Sequence, residues 1–150
     1  MDKIKDLWYY KTIGVVMKDL MKSNIYDCGE EIIIVGSCLK VMQPKAFKQL
    51  EKLDLPIFDL CLENSHINMA ITKILGMIRA KNIKKIIFAS VDKSPHCVQI
   101  HYIQDEISKL GFKVEFVNYV AVDNALVQIS KDTISLSKNL SKLQQIIGNK

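Results

Sequence analysis

The stretch EIIIVG, residues 31–36, decides the fold, because it is a short apolar run with charge before it and a glycine at its end. Two more runs resemble it, PIFDLCL at 56–62 and KIIFAS at 85–90, and a fourth, FKVEFVNYV, follows at 112–120. These runs are rich in β-branched and aromatic residues, and the first and third do not alternate strictly, which is typical of strands buried on both faces. We therefore predict the central strands of a parallel sheet.

Helical patterns separate these strands. Segment 44–53 begins with a proline, which is favoured at a first helical position. Segment 65–81 carries an apolar stripe along one helix face, formed by Ile67, Ala70, Ile71, Ile74, Leu75 and Ile78. A third helix is predicted to be capped by Ser94, to start at Pro95 and to end at Gly111.

The two ends of the chain also carry helical patterns, at about 6–22 and 131–147. The stripe of the second consists of Leu136, Leu140, Leu143 and Ile147. Segment 120–130 can form either a hairpin around Asp123-Asn124 or an extended tail on the sheet edge.

Strands that alternate with helices predict one domain, 1–150, with right-handed crossovers. The expected architecture is a three-layer α/β/α domain of the flavodoxin- or Rossmann-like type. Its sheet is expected to be mostly parallel, with four or five strands in the order 2-1-3-4.

Composition argues against several classes of protein. The net charge is +5, but Arg79 is the only arginine and no basic run is interleaved with aromatics, so nucleic-acid binding is not expected. No apolar run reaches the length of a membrane span, and the first residues lack the apolar block of a signal peptide. We expect a cytoplasmic protein whose cysteines are thiols.

The prediction of a functional site rests on the expected convergence of loops from three strands at one edge of the sheet. Loops that follow parallel strands emerge at one edge of the sheet, where ligands bind. Cys38 follows the first strand, His66 follows the second, and the turn 92–97 follows the third. A Cys/His site is therefore predicted at the carboxyl edge. Cys61 is interpreted as a small buried side chain within the second strand, and Cys28 as structural at the opposite edge.

A metal or iron–sulfur site with a redox or ligand-transfer role is the first functional hypothesis. Its ligands would be Cys38, His66, Cys97 and His101, with His96 as an alternative. Residues four apart on an α-helix share a face, so Cys97 and His101 are expected to reach one ion, such as zinc or iron. The spacings match no standard zinc or cluster pattern, and a partner subunit could supply missing ligands.

Metal-free thiol chemistry is the second hypothesis. Cys97 would be the nucleophile, His96 or His66 the base, and Asp92 the group that orients it. The first turn of a helix stabilises a thiolate, which would activate Cys97.

The same segment predicts two further features of this site. At the α-helical period, His96 falls on the inward face of its helix. Backbone amides near Gly36, Ser37 and Ser94 are candidates to hold an oxyanion or a phosphate.

A binding or subunit module without catalysis is the third hypothesis. Neither GxGxxG nor GxxxxGK[ST] occurs, which argues against dinucleotides and P-loop chemistry. The expected ligand is then a small molecule or a metal. Exposure of the cluster Trp8-Tyr9-Tyr10 would favour a homo-oligomer or a partner subunit.

Overall fold

The computed structural model describes residues 17–149, and within them six strands form a single sheet in the order β1-β3-β2-β4-β5-β6. The strands are β1 (Lys18–Asp19), β2 (Glu31–Gly36), β3 (Ile57–Leu60), β4 (Lys85–Val91), β5 (Glu115–Val122) and β6 (Ala125–Ile129). The first five are parallel to their neighbours, and β6 is antiparallel to β5. The order β3-β2-β4-β5 confirms the predicted 2-1-3-4, and β1 and β6 extend the sheet beyond the expected size.

Helices fill the connections. They are α1 (Leu39–Met42), α2 (Pro44–Glu51), α3 (Ile67–Lys81), a 3₁₀ helix (Cys97–Tyr102), α4 (Ile103–Lys109), α5 (Lys131–Ser137) and α6 (Leu140–Gly148). The crossover from β2 to β3 runs in the opposite direction to the next two, so right-handed connections place α2 on one face and α3 and α4 on the other. No helix within residues 17–149 is long and apolar enough to cross a bilayer.

The core lies where the sequence predicts it. Every residue from Ile32 to Val35 on β2, and from Ile86 to Ala89 on β4, is buried. The predicted stripe of α3 faces this core, with Ala70, Ile74 and Ile78 buried. Two central strands covered on both faces thus explain the continuous apolar runs of the sequence.

The predicted helix at 6–22 is wrong in the part that can be compared. Lys18 and Asp19 form β1 and pair with Phe58 and Asp59. The amide of Leu20 continues this pairing by donating to the carbonyl oxygen of Asp59 at 3.0 Å. The free edge of β3 needs partners for its backbone, and this requirement outweighs the helical pattern. The cluster Trp8-Tyr9-Tyr10 lies outside the described residues.

The third predicted helix is correct in position but not in its first half. Ser94 caps it as expected, because the Ser94 hydroxyl accepts a hydrogen bond from the Cys97 amide at 3.1 Å. The chain then winds as a 3₁₀ helix over Cys97–Tyr102 before it becomes α-helical. Successive side chains in a 3₁₀ helix are about 120° apart, not about 100°. This difference changes which residues of the candidate site face the sheet.

The predicted C-terminal helix is two helices, α5 and α6. Asn139 separates them and caps α6, since its side-chain oxygen accepts a hydrogen bond from the Lys142 amide at 3.3 Å. Ile134 of α5 is buried, whereas no residue of α6 is. The stripe of α6 therefore lies largely in solvent.

Segment 120–130 is a hairpin, the first of the two alternatives. Asp123 and Asn124 both have positive φ angles, 51° and 59°, as a tight two-residue turn requires. The Asn124 amide donates to the Gln43 side-chain oxygen at 2.6 Å. The hairpin is thereby tied to the junction between α1 and α2.

Candidate functional site

Three cysteines meet at the carboxyl edge of the sheet. Cys38 follows β2, Cys61 follows β3, and Cys97 begins the 3₁₀ helix that follows β4. Cys38 and Cys61 each raise the pKa of Cys97, so each of them lies within electrostatic range of the Cys97 sulfur. The carboxyl ends of β2 and β4 flank the point where the winding of the chain reverses, which is the usual ligand crevice in this architecture.

Cys97 is the buried member of this group, which we call the thiol cluster (Cys38, Cys61 and Cys97). Its side chain is 6% exposed, and its sulfur accepts a hydrogen bond from the Val91 amide at 3.3 Å. The sulfur also lies against Gly36, where an added Cβ would come within 2.1 Å of Sγ. The last residue of β2 is a glycine because Cys97 occupies the space that a side chain would fill.

The environment of Cys97 makes it a thiol, not a thiolate. Burial raises the pKa of Cys97 to about 11, and the hydrogen bond from Val91 offsets only part of this rise. The neighbouring Cys38, through its charge and a hydrogen bond, raises the pKa further. The prediction that the helix start activates Cys97 as a thiolate is therefore wrong, because desolvation outweighs the favourable backbone groups.

Cys38 is the accessible member. It is exposed, stands immediately before α1, and lies near enough to Cys97 to raise the pKa of the Cys97 thiol. Cys61 is only half-buried, so the interpretation as a buried side chain is wrong. Cys28 is buried before β2, where its thiol donates to the Ile25 carbonyl oxygen at 3.5 Å. The cluster thus combines one sulfur open to solvent with one that is covered.

His101 is not available to bind a metal with Cys97. Its side chain is 1% exposed. Its Nε2 lies 2.7 Å from the Ser90 hydroxyl, and its Nδ1 lies 2.8 Å from the Asn118 side-chain oxygen. The prediction that Cys97 and His101 share an ion is wrong, because the 3₁₀ geometry separates residues four apart by about 120°.

His101 belongs to a buried polar chain that also contains Ser90, Asn118 and Gln104. The Asn118 amide nitrogen donates to the Gln104 side-chain oxygen at 2.7 Å, so the Asn118 oxygen is left to accept from His101. His101 then carries its proton on Nδ1, and the Ser90 hydroxyl donates to Nε2. We call Ser90, His101, Asn118 and Gln104 the polar relay.

Burial lowers the pKa of His101, and its hydrogen bond with Asn118 opposes this effect. The order serine, histidine, asparagine is that of a nucleophile, a base and an orienting group. Ser90 is nevertheless 1% exposed, so no substrate reaches its hydroxyl in this structure. The relay joins β4, α4 and β5 through satisfied hydrogen bonds, which is a structural role.

The remaining predicted residues lie apart from Cys97. His96 is exposed, not directed inward as predicted, because the 3₁₀ period places Cys97 and Ile100 on the inner face instead. Asp92 is exposed as well, and neither its carboxylate nor the His96 ring has a hydrogen-bond partner within residues 17–149. The expected alignment of base and orienting group beside Cys97 is absent from this described part.

His66 caps α3, and its Nδ1 accepts a hydrogen bond from the Asn68 amide at 3.3 Å. Its ring lines an open groove of about 420 Å³ together with Gln99 of the 3₁₀ helix. Among residues 17–149, no three His, Cys, Asp or Glu side chains converge closely enough to hold a metal ion. The predicted set of Cys38, His66, Cys97 and His101 is therefore not a formed metal site.

Several of the groups predicted to hold an anion are already engaged or covered. The Ser37 amide donates to the Leu60 carbonyl oxygen at 3.2 Å, and its hydroxyl donates to Asp59 at 2.8 Å. The Ser94 hydroxyl is occupied by the Cys97 amide. The Cys97 sulfur covers Gly36. These contacts argue against an oxyanion or phosphate at this turn.

The polar relay, with its members Ser90, Gln104 and Asn118, was not predicted from the sequence. A weak signal existed, since Ser90 and Asn118 are polar residues inside otherwise apolar strand patterns. Buried polar side chains in a strand need partners, and His101 on the next helix is the nearest candidate along the chain.

A family model described as a Rossmann-like domain matches residues 28–150. The chain belongs to this family, in agreement with its doubly wound, mostly parallel sheet. No curated protein and no solved structure matches it.

Proposed function

We propose that this protein is a thiol–disulfide redox protein in which Cys38 and Cys97 form a reversible disulfide. The observation that carries the proposal is the placement of an exposed and a buried cysteine after two paired strands at the carboxyl edge of the sheet, near enough that Cys38 raises the pKa of Cys97. Thiol–disulfide exchange needs one accessible thiol to meet the substrate and a second one within reach to resolve the mixed disulfide. Cys38 and Cys97 match these two requirements.

The substrate is a disulfide, and the reaction balances without another reductant. The Cys38 thiolate attacks one substrate sulfur, so that a mixed disulfide forms and the first thiolate leaves. Cys97 then loses its proton to solvent and attacks the Cys38 sulfur, which releases the second thiolate. Two electrons pass from the cysteine pair to the substrate, and Cys38 and Cys97 end as a disulfide.

The high pKa of Cys97 assigns the order of these steps. A thiol with a pKa of about 11 is almost entirely protonated at neutral pH, so it makes a poor first nucleophile. Cys97 is instead suited to the second, intramolecular step, where proximity compensates for a small thiolate fraction. The role of nucleophile thus moves from Cys97, as first expected, to Cys38.

The test uses 5,5′-dithiobis(2-nitrobenzoate), an aryl disulfide whose released thiolate absorbs visible light. Reduced protein should release two aryl thiolates from the pair, and intact-mass analysis should show no aryl group retained on Cys38. The Cys97→Ala variant should release only one and keep an aryl adduct on Cys38. The Cys38→Ala variant should lose the fast phase of the reaction.

Cys28→Ala is the matched control, because Cys28 is also buried but stands before β2, outside the thiol cluster. It should behave like the parent in the fast phase. A stable aryl adduct on Cys38 in the parent protein would contradict the proposal, as would a fast phase that survives removal of Cys38.

A thiophilic metal, zinc or iron in a cluster, is the second candidate. The presence of three cysteines after three neighbouring strands supports it, since thiolates are the preferred ligands of such metals. The described side chains do not form a ready site, so a metal would need side-chain movement or a ligand from another chain. Metal analysis and a visible spectrum of protein purified without oxygen separate this candidate from the first.

Two further properties belong to the same proposal. A reducing compartment such as the cytoplasm would keep the pair as thiols between turnovers. A homo-oligomer or a partner subunit is supported by the apolar side chains that α6 leaves in solvent, including Leu140 and Ile147. Light scattering at several protein concentrations measures the oligomeric state directly.

A further inference from the structure

A second cavity lies far along the sheet from the thiol cluster, at the amino end of β5. It has a volume of about 360 Å³ and is partly open to solvent. Its walls come from α4, β5, the end of β6 and the start of α5. This volume lies in the range of small-molecule sites in proteins.

One wall presents a buried hydrogen-bond donor. Gln104 is 4% exposed, and its side-chain oxygen accepts from Asn118, which turns its amide nitrogen away from the polar relay. Within residues 17–149 this nitrogen has no hydrogen-bond partner, yet no side-chain nitrogen or oxygen there is both sealed from solvent and unpaired. The Gln104 nitrogen therefore keeps some exposure to solvent, and Gln104 is one of the residues that line the cavity.

The polar relay holds this donor in place. Asn118 is fixed by His101 at 2.8 Å, and His101 is fixed in turn by Ser90 at 2.7 Å. A donor whose orientation is set before a ligand arrives loses little conformational freedom on binding. The hydrogen bonds of the polar relay therefore also fix the orientation of the Gln104 side chain.

The other walls supply an aromatic surface and one positive charge. Phe116 lines the cavity and stacks on Phe88, with ring centroids 6.0 Å apart. Lys131 is exposed at the rim and forms no ion pair within residues 17–149. No aspartate or glutamate lines the cavity, so Lys131 is the one charged side chain among its lining residues.

We propose that this cavity binds a small heteroaromatic carboxylate. Its ring would pack near Phe116, its ring acceptor would receive the Gln104 amide hydrogen, and its carboxylate would lie toward Lys131. A flat ring is matched by the aromatic wall, and the fixed donor selects rings that carry an acceptor. This site is independent of the thiol chemistry, so either proposal can fail without the other.

The test uses nicotinate, with benzoate and nicotinamide as matched probes, in isothermal titration and saturation-transfer NMR. Nicotinate should bind with a dissociation constant of about 1 mM or lower, as expected for a ligand of this size. Benzoate lacks the ring acceptor and nicotinamide lacks the charge, so each should bind at least about fivefold more weakly. Equal binding of all three, or no binding of nicotinate at about 10 mM, would overturn the proposal.

Two variants locate the site. Lys131→Gln should weaken nicotinate at least about fivefold and leave nicotinamide unchanged, because only the charge is lost. Lys142→Gln, another exposed lysine but on α6, should change neither. Gln104→Glu keeps the oxygen that accepts from Asn118 and replaces the donor with a negative group, so nicotinate binding should be lost. Unchanged affinity in the Lys131 variant would overturn the proposal even if the Gln104 variant does not fold.

Discussion

Cys97 and His101 lie four residues apart in one 3₁₀ helix, yet the structure gives them opposite surroundings. The Cys97 sulfur accepts a hydrogen bond from one backbone amide and lies within electrostatic range of two other thiols, and one of these, Cys38, is open to solvent. Both ring nitrogens of His101 are occupied by buried partners. The Cys97 thiol remains available to react with a neighbouring thiol, whereas both nitrogens of the His101 ring are engaged in hydrogen bonds that stabilise the fold.

This contrast shows that a cysteine or histidine in the sequence does not by itself indicate a functional site. A histidine whose two nitrogens are both bonded cannot bind a metal or accept a proton without breaking a buried contact. A buried thiol loses much less when it exchanges partners, because its hydrogen bonds are weak. The thiol cluster is therefore the reactive region, and the polar relay is the rigid one.

Removal of His101 should cause the largest loss of stability. His101→Ala leaves the Ser90 hydroxyl and the Asn118 oxygen without their partner and opens a cavity between β4, α4 and β5. We expect the free energy of unfolding in urea to fall by about 3 kcal/mol. His96→Ala, at the exposed histidine of the same segment, should change it by less than about 0.5 kcal/mol. Equal losses of unfolding free energy in the two variants would contradict the structural role assigned to His101.

High pH should destabilise the protein through Cys97. The pKa of Cys97 is about 11 in the folded protein, whereas the reference value of a cysteine, taken here for the unfolded chain, is 9.0. Between these two pH values the unfolded chain has lost the proton that the folded chain keeps. Stability from this group is present below pH 9 and is lost as the pH rises towards 11, by about 2–3 kcal/mol. Unfolding free energies measured across this range should fall more steeply for the parent than for Cys97→Ala. Parallel curves would show that Cys97 is not buried as a thiol.

A methyl group at Gly36 should disturb the thiol cluster directly. Gly36→Ala places a Cβ 2.1 Å from the present position of Cys97 Sγ, so Cys97 must move, at a cost of about 2 kcal/mol. The same change in a Cys97→Ala background should cost much less, because the clash is gone. Gly29→Ala is the matched control, since nothing lies within 4 Å of its added Cβ. An equal cost in both backgrounds would mean that Cys97 does not cover Gly36.

Acid should act on the polar relay and not on the thiol cluster. Burial lowers the pKa of His101 below its usual 6.5, so the unfolded chain takes up this proton before the folded chain does. The stability that His101 contributes is full above pH 6.5 and is lost as the pH falls towards its pKa in the folded protein. A His101→Gln variant should show a shallower decline on acidification, and an unchanged decline would contradict a neutral His101.

Much of the fold could be predicted from the sequence, because buried parallel strands and amphipathic helices leave strong patterns. β2, β4, the buried face of α3 and the order β3-β2-β4-β5 all follow from apolar period and crossover rules. β1 could not be predicted in this way, since two residues gain their strand conformation only from the free edge of β3. The break between α5 and α6 also depends on a local cap at Asn139.

The position of the candidate site at the carboxyl edge of the sheet was predictable from the sequence, but the directions of its side chains were not. Strand order brings Cys38, Cys61 and Cys97 to one edge, which sequence reasoning anticipated for the first and third. The directions of His96 and His101 depended on the helix period, and no propensity marks Cys97–Tyr102 as 3₁₀ rather than α. The pKa of Cys97 depended on its burial against Gly36, a tertiary contact that no local pattern reports.

The most direct measurement is peptide mapping by mass spectrometry after the protein is equilibrated in glutathione redox buffers and its free thiols are alkylated. We expect one reversible cross-link, between the peptides that contain Cys38 and Cys97, with Cys28 alkylated throughout. A protein that keeps Cys38 and Cys97 as free thiols in oxidising buffer, or that joins Cys38 to Cys61 instead, would contradict it.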